Sequence, residues 1–253
     1  MFYKNILETI PIYMYGVKSR FSGLVIYDSI MYVTFNLCFT SWPIIHFATM
    51  DYEYPKKVIA KRPQLYRIGL DNIYFSKWVF WRWVFYAFWQ SSLILFLAYY
   101  ALENESPLID GRYGGVYVSG NLVFMMLVIV SNMKILISSF LITYLLLFFV
   151  LGSVGFYYFV YVLEAGSMTT SEQYGTLLML MSSAQSYFVI ILFTFMFVLV
   201  DTGLHYLNIY INKWYELQLE KAKQLKQKKD MKSKSVIKRK LSTYKNRGFA
   251  FSQ

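Results

Sequence analysis

The stretch Tyr117–Glu164, YVSGNLVFMMLVIVSNMKILISSFLITYLLLFFVLGSVGFYYFVYVLE, decides what kind of chain this is. Crossing the roughly 30 Å hydrocarbon layer of a bilayer takes about 20 mostly apolar residues. The stretch is too long for one crossing and reads as two spans, over about 117–137 and 140–163, turning near Ser138 and Ser139. Hydrocarbon offers no water to backbone N–H and C=O groups, so both spans must be helices that satisfy their own backbone.

Four further segments on either side have the same character. They run over about 1–17, 24–47, 79–101 and 176–200. The first carries Lys4, Asn5 and Glu8 and is the least apolar. The expected fold class is therefore all-α integral membrane: a helical region over 1–205 with about six transmembrane helices, followed by a basic cytosolic tail over 206–253. Composition agrees. The chain is 57% hydrophobic and only 15% charged, against about 25% charged in an average soluble domain. Aromatics reach 21%, which suits a chain that crosses many membrane–water interfaces. A single cysteine, Cys38, excludes a disulfide framework and a Cys-based zinc site.

The charge is concentrated. From Lys213 to Arg247 there are thirteen Lys and Arg against Glu216, Glu220 and Asp230, a net +10 of the chain's +11. Because this block follows a span, attraction to an anionic inner leaflet explains it better than nucleic acid, and no nucleic-acid partner is expected. Loop charge sets the orientation. Lys56, Lys57, Lys61, Arg62, Arg67 and Lys77 lie between the second and third spans, whereas Ala165–Gly175 has no Lys or Arg. The positive-inside rule puts the basic loop and the tail in the cytosol, with Lys18 and Arg20 as a mild exception outside. The opening FYKNILETIPIYMYGV reads as part of a span rather than a signal peptide, so a fragment of a longer protein is expected. The tail from Lys213 to Lys240 reads as a charged helix near the membrane, passing into a mobile linker, MKSKSVIKRKLS. At its end, Phe249 and Phe251 alternate as in an extended peptide that docks in a groove.

Polar residues inside the spans are the candidate sites. An ammonium at the bilayer centre costs at least ~2.5 kcal/mol, so Lys4 either snorkels to the cytosolic interface or faces a cavity or partner. Glu8, one turn on, needs a partner, water or protonation, and Lys4 is the obvious candidate. Asn36, Thr40 and Ser41 share roughly one helical face, and Pro43 frees a carbonyl three to four residues earlier. Such a face beside a proline break is either a midplane transport site or interhelical glue at a structural kink. His46 and His205 read as interface histidines, and Asp201, closing the last span, as a carboxylate solvated among headgroups. There is no metal-ligand spacing, nucleophile–base set or phosphate-cradling loop, so no catalytic or metal residue is assigned.

Five stretches, in order, carry a resemblance: FYKN at Phe2–Asn5; FSG at Phe21–Gly23 with Tyr27 and Asp28; FNLCFTSWPI at Phe35–Ile44; PQLYR at Pro63–Arg67; and RGFAFSQ at Arg247–Gln253. Together they resemble the C-terminal membrane region of the type-IV P-type ATPases, the eukaryotic phospholipid flippases. The resemblance implies that the spans correspond to the fifth through tenth helices of a ten-helix transport domain. It implies that Lys4, Asn5 and Asn36 lie along the path of the lipid headgroup. It implies that Gly248, Phe249, Ala250, Phe251 and Ser252 form an autoinhibitory plug for the nucleotide-binding domain. The implied activity is ATP-driven movement of aminophospholipid-type lipids from the exoplasmic to the cytosolic leaflet of a Golgi, endosomal or plasma membrane. Mg2+ and ATP would be bound by domains absent from this chain, and the implied partners are the N-terminal part of the pump and an accessory beta subunit. There are departures. Gln90–Ser91 replaces a common His–Ser pair, FATMDYEY around Asp51 and Glu53 replaces an acidic segment, and Glu8 and Pro11 are unusual in the fifth helix. The DKTGT and TGE motifs are absent, so the chain alone is expected to be inactive. The competing readings are a non-enzymatic membrane fragment or scaffold and an unrelated channel or carrier.

Overall fold

The computed structural model describes residues 2–61, 76–103, 114–167, 173–211, 213–214 and 218. The PQLYR stretch, most of the basic tail and the GFAFS motif at Gly248–Ser252 lie outside the described residues. The chain divides into two units, Met1–Asp201 and Thr202–Gln253.

The first unit is helical throughout its described elements. Helix α1 covers Phe2–Lys18. Helix α2 (Ser29–Thr34), a π-helical turn (Phe35–Phe39) and α3 (Ser41–Met50) follow one another. Next come α4 (Lys56–Lys61), α5 (Lys77–Glu103), α6 (Val116–Ser138), α7 (Tyr144–Ser167) and the short α8 (Thr176–Ser182). A last helix, α9, runs over Ala184–Ile211. Among the described residues, five stretches are long and apolar enough to cross a membrane: Ser29–Met50, Lys77–Leu102, Val116–Ser138, Tyr144–Gly166 and Ala184–Ile211. Helix α1, with 17 residues, carries Lys4, Glu8 and Lys18 and lies mainly against α5.

Local chemistry sets the boundaries. After α1 the chain reverses through Arg20 and Phe21, both with positive φ, and Gly23 at φ 84°. The Phe21 N–H donates to Gly16 O at 2.7 Å, closing the helix end in the manner of a left-handed C-cap. The second span begins at Ser29 rather than near Leu24, because the Asp28 side chain accepts from the Ile30 N–H at 2.7 Å and caps α2. Between α6 and α7, Asp51 accepts from the N–H groups of Phe140 and Leu141, at 3.2 and 2.9 Å, and fixes the turn. The segment expected to run unbroken over 176–200 is interrupted at Ser183, which is extended (φ −89°, ψ 115°). The Ser182 hydroxyl donates back to Met179 O at 2.9 Å, a bond that competes with the helical ladder.

Helix α6 is the axis of the unit: 67% of its span is buried, against 39% or less for the other four. A helix that is apolar on all sides belongs in the interior of a bundle. Its Phe124 meets Tyr27, Phe35, Phe39 and Tyr157 with ring centroids 5.0–6.3 Å apart, distances at which edge-to-face and offset pairs are favourable. Gly120 allows α6 to approach the turn before α2, since a Cβ there would collide with the Ile26 carbonyl. Near the same end, Asn121 donates to Tyr161 at 2.9 Å and to Gln173, joining α6, α7 and the start of α8. The outward faces carry large apolar side chains such as Trp89, Phe96, Phe148 and Phe195, as a lipid-facing surface requires.

Candidate functional site

Two prolines shape the site. A proline lacks the N–H that the carbonyl four residues earlier would accept. In the second span, Pro43 therefore frees Phe39 O. The chain answers by opening into a π turn over Phe35–Phe39 and restarting as α3 at Ser41, which leaves Pro43 in a first helical turn, where no N–H is needed. The freed Phe39 carbonyl accepts from Asn132 Nδ2 on α6 at 3.0 Å. Two hydroxyls complete the rewiring: Thr40 Oγ1 donates to Phe35 O at 2.7 Å, and Ser41 Oγ donates to Asn36 O.

The open turn faces α1. Lys4 Nζ donates to Thr40 Oγ1 at 2.8 Å, and Asn36 Nδ2 donates to Glu8 Oε2 at 2.9 Å. Lys4 and Glu8 are both buried, so each relies on these contacts. The Lys4–Glu8 ion pair expected from their spacing is not how they are satisfied; each takes its hydrogen bond from the opened span, whose polar groups stand closer than the neighbouring turn of α1. The second carboxyl oxygen, Glu8 Oε1, is buried without a hydrogen-bond partner among the described residues. The structure thus brings Lys4 and Asn36 to one contact. It does not bring Asn5 there: Asn5 is exposed, and its carbonyl accepts from Thr9 Oγ1 at 2.7 Å.

A second charged group went unread in the sequence. Lys134 on α6 lies 2.8 Å from Asp201 on α9, and Tyr86 also donates to Asp201. The Lys134 ammonium sits over the rings of Tyr86, Trp83 and Tyr3 at 4.3, 5.3 and 5.8 Å, a cation–π surround. Asp201 is accordingly not a solvated headgroup-level carboxylate but a buried one, 3% exposed, because an internal cation neutralises it. The signal was available: Lys134 is a charge inside an apolar run, and such residues mark sites by default. His46 stands apart from both contacts. It lies buried between Phe149 and Thr143.

The chain matches the family described as "Phospholipid-translocating P-type ATPase C-terminal" over residues 1–214. It is 29% identical over 202 residues to phospholipid-transporting ATPase 10 of Arabidopsis thaliana, covering 79% of this chain and 17% of the plant protein. It is 30% identical over 156 residues to phospholipid-transporting ATPase IH of Mus musculus, covering 62% of this chain and 13% of that protein. With phospholipid-transporting ATPase IG of Homo sapiens it shares 26% identity over 198 residues, 77% of this chain and 18% of the human protein. The chain thus spans less than a fifth of the length of these relatives.

Proposed function

This chain belongs to the family of C-terminal regions of phospholipid-translocating P-type ATPases, and from that premise we propose that it forms the lipid-path part of the transport domain of an ATP-driven flippase. The observation that carries the proposal is the contact between α1 and the opened turn, where the buried Lys4, Glu8 and Thr40 meet the exposed Asn36 among apolar helices. An intramembrane ammonium and carboxyl are costly to retain and commonly mark a substrate pathway. Here Lys4 is the fixed positive charge for the lipid phosphate. Glu8 Oε1, buried and without a hydrogen-bond partner among the described residues, is the acceptor for the ammonium of an aminophospholipid headgroup. Asn36 orients Glu8, and Asn5 lines the outer part of the same path.

Lipid moves from the exoplasmic to the cytosolic leaflet, with the basic loop and tail on the cytosolic side. Aspartyl phosphorylation by domains outside this chain, which bind ATP and Mg2+, shifts the helices and exposes the Lys4–Asn36 groove to each leaflet in turn. An accessory beta subunit would bind the outside loops. The Gly248–Ser252 motif would plug the nucleotide-binding domain, its aromatic side chains filling an adenine-sized pocket. Ending the chain at Lys245 should then raise basal ATPase activity, and an unchanged basal rate would remove that role.

The decisive test is Lys4→Ala in the complete pump. Lipid transport and lipid-stimulated ATPase should both fall at least about tenfold, the loss of ~1.4 kcal/mol of transition-state stabilisation. Unchanged values would sink the headgroup-path reading.

A further inference from the structure

A cavity of about 360 Å3 opens between α1, α3, α5 and α6. Its polar lining is supplied by Lys4, Thr40, Ser131, Lys134 and Ser138, and no carboxylate or amide side chain among the described residues faces it. Lysine ammoniums carry three donors each and no acceptor. Lys4 donates to Thr40, and Lys134 is paired with Asp201, which lies outside the lining. Each ammonium therefore keeps donors for a further acceptor. Ser131 strengthens the case: it is 4% exposed, and its Oγ has no hydrogen-bond partner among the described residues. A buried unpaired hydroxyl is expensive unless something fills its bond. Two cations and a free hydroxyl around one small space call for an anion with several acceptor oxygens.

Size narrows the class. The volume lies in the range of small-ligand pockets, about 300–1,000 Å3. A phosphodiester with a small polar substituent fits; two acyl chains do not and must stay outside. The aromatic side of the cavity, including Phe80 and Trp83, gives them an apolar boundary. The cation–π surround from Tyr3, Trp83 and Tyr86 fixes the Lys134 head at the wall, so little side-chain freedom is lost when an anion arrives.

We propose that this cavity binds the phosphate of a phospholipid headgroup, with Lys134 as the second cation beside Lys4 and Ser131 as a hydroxyl donor. The proposal rests on the reading of the α1–α3 contact as the headgroup path, and it adds a residue from α6 to that path. Removing Lys134 alone would strand Asp201, so the test pairs Lys134→Met with Asp201→Asn in the complete pump, beside Ser131→Ala and Lys134→Arg. ATPase activity is titrated with phosphatidylserine in detergent micelles. The double variant should need about tenfold more lipid for half-maximal activity, as for loss of a charge-assisted bond. Ser131→Ala should need about threefold more, and maximal turnover should change less than about twofold in both. Lys134→Arg should keep near-wild-type lipid dependence. If the double variant does not fold, Ser131→Ala carries the test alone. Wild-type lipid dependence in these variants, with Lys4→Ala still impaired, overturns the role of Lys134 and the cavity and leaves the α1–α3 path standing. Wild-type behaviour of Lys4→Ala as well overturns both. Soluble glycerophosphoserine distinguishes the sources. Weak or no competition supports a membrane lipid, whereas competition as strong as by phosphatidylserine overturns the lipid assignment in favour of a free phosphodiester.

Discussion

Pro11 and Pro43 delete the same backbone donor from two neighbouring helices, yet α1 stays continuous and the second span opens. In α1, the carbonyl freed by Pro11 is Leu7 O, and Ser91 Oγ on α5 donates to it at 2.8 Å. One outside hydroxyl replaces one lost N–H, and the helix keeps its register. In the second span the freed Phe39 O is likewise met from outside, by Asn132. What differs is the reach of the hydroxyls just before the proline: in α1 Thr9 Oγ1 bonds only four residues back, to Asn5 O, which keeps the α-helical register. Thr40 and Ser41 place two hydroxyls where they reach back five residues, to Phe35 O and Asn36 O. Those bonds support the wider π turn, and such turns concentrate at functional sites. The extra residue lets Phe35 and Phe39 face Phe124 in the core while Thr40 and Asn36 face Lys4 and Glu8. A proline preceded by a hydroxyl that bonds four residues back leaves the helix closed; one preceded by hydroxyls that bond five residues back opens it.

The largest expected effect comes from exchanging the two prolines for alanine. Pro43→Ala restores an N–H to Phe39 O and favours a closed α-helical register. It should lower lipid-stimulated ATPase at least about tenfold while leaving thermal stability within ~1 kcal/mol. Pro11→Ala merely lets α1 satisfy its own carbonyl, and activity should change less than about twofold. Measuring both variants of the complete pump side by side breaks the comparison if the two losses are equal.

A smaller effect, on stability, is expected at Asn132. Asn132→Leu leaves Phe39 O without a partner in an apolar interior and should destabilise the fold by about 1–2 kcal/mol in reversible unfolding measurements. Combined with Pro43→Ala, the same substitution should cost much less, because the carbonyl then has a helical donor. A double-mutant cycle with no coupling would show that Asn132 does not serve the proline break.

How much of this could be read from the chain follows from where each partner lies. The spans were legible because length and apolarity are local properties. The opened turn was half legible: Asn36, Thr40, Ser41 and Pro43 announced a polar break, but not whether it served transport or packing. The Lys4–Glu8 pair was inferred from helical spacing, and the structure instead gives each a partner on another helix, since spacing along one helix says nothing about a neighbour's opened backbone. Lys134 and Asp201 were missed for the same reason. They come from distant spans, and only the packing of α6 against α9 makes a cation in one run the counterion of a carboxylate ending another. Ser91 stood out in the sequence only as one half of Gln90–Ser91. Its role appears once α5 is laid against α1, where Ser91 reaches Leu7 O and Gln90 accepts from Tyr3.

That placement gives the smallest prediction and the finest test of the comparison. Ser91→Ala removes a single interhelical hydrogen bond without opening the helix it serves. Interhelical bonds of this kind average about 0.6 kcal/mol in membrane proteins, so the loss of stability should be of that order and below the loss for Asn132→Leu. ATPase activity should stay close to wild type, because Lys4 and Glu8 take their partners from the second span and not from α5. If Ser91→Ala instead reduced lipid stimulation as strongly as Pro43→Ala, the continuous helix would be as finely adjusted as the opened one. The hydroxyls before Pro43 would then no longer explain why the site forms where it does.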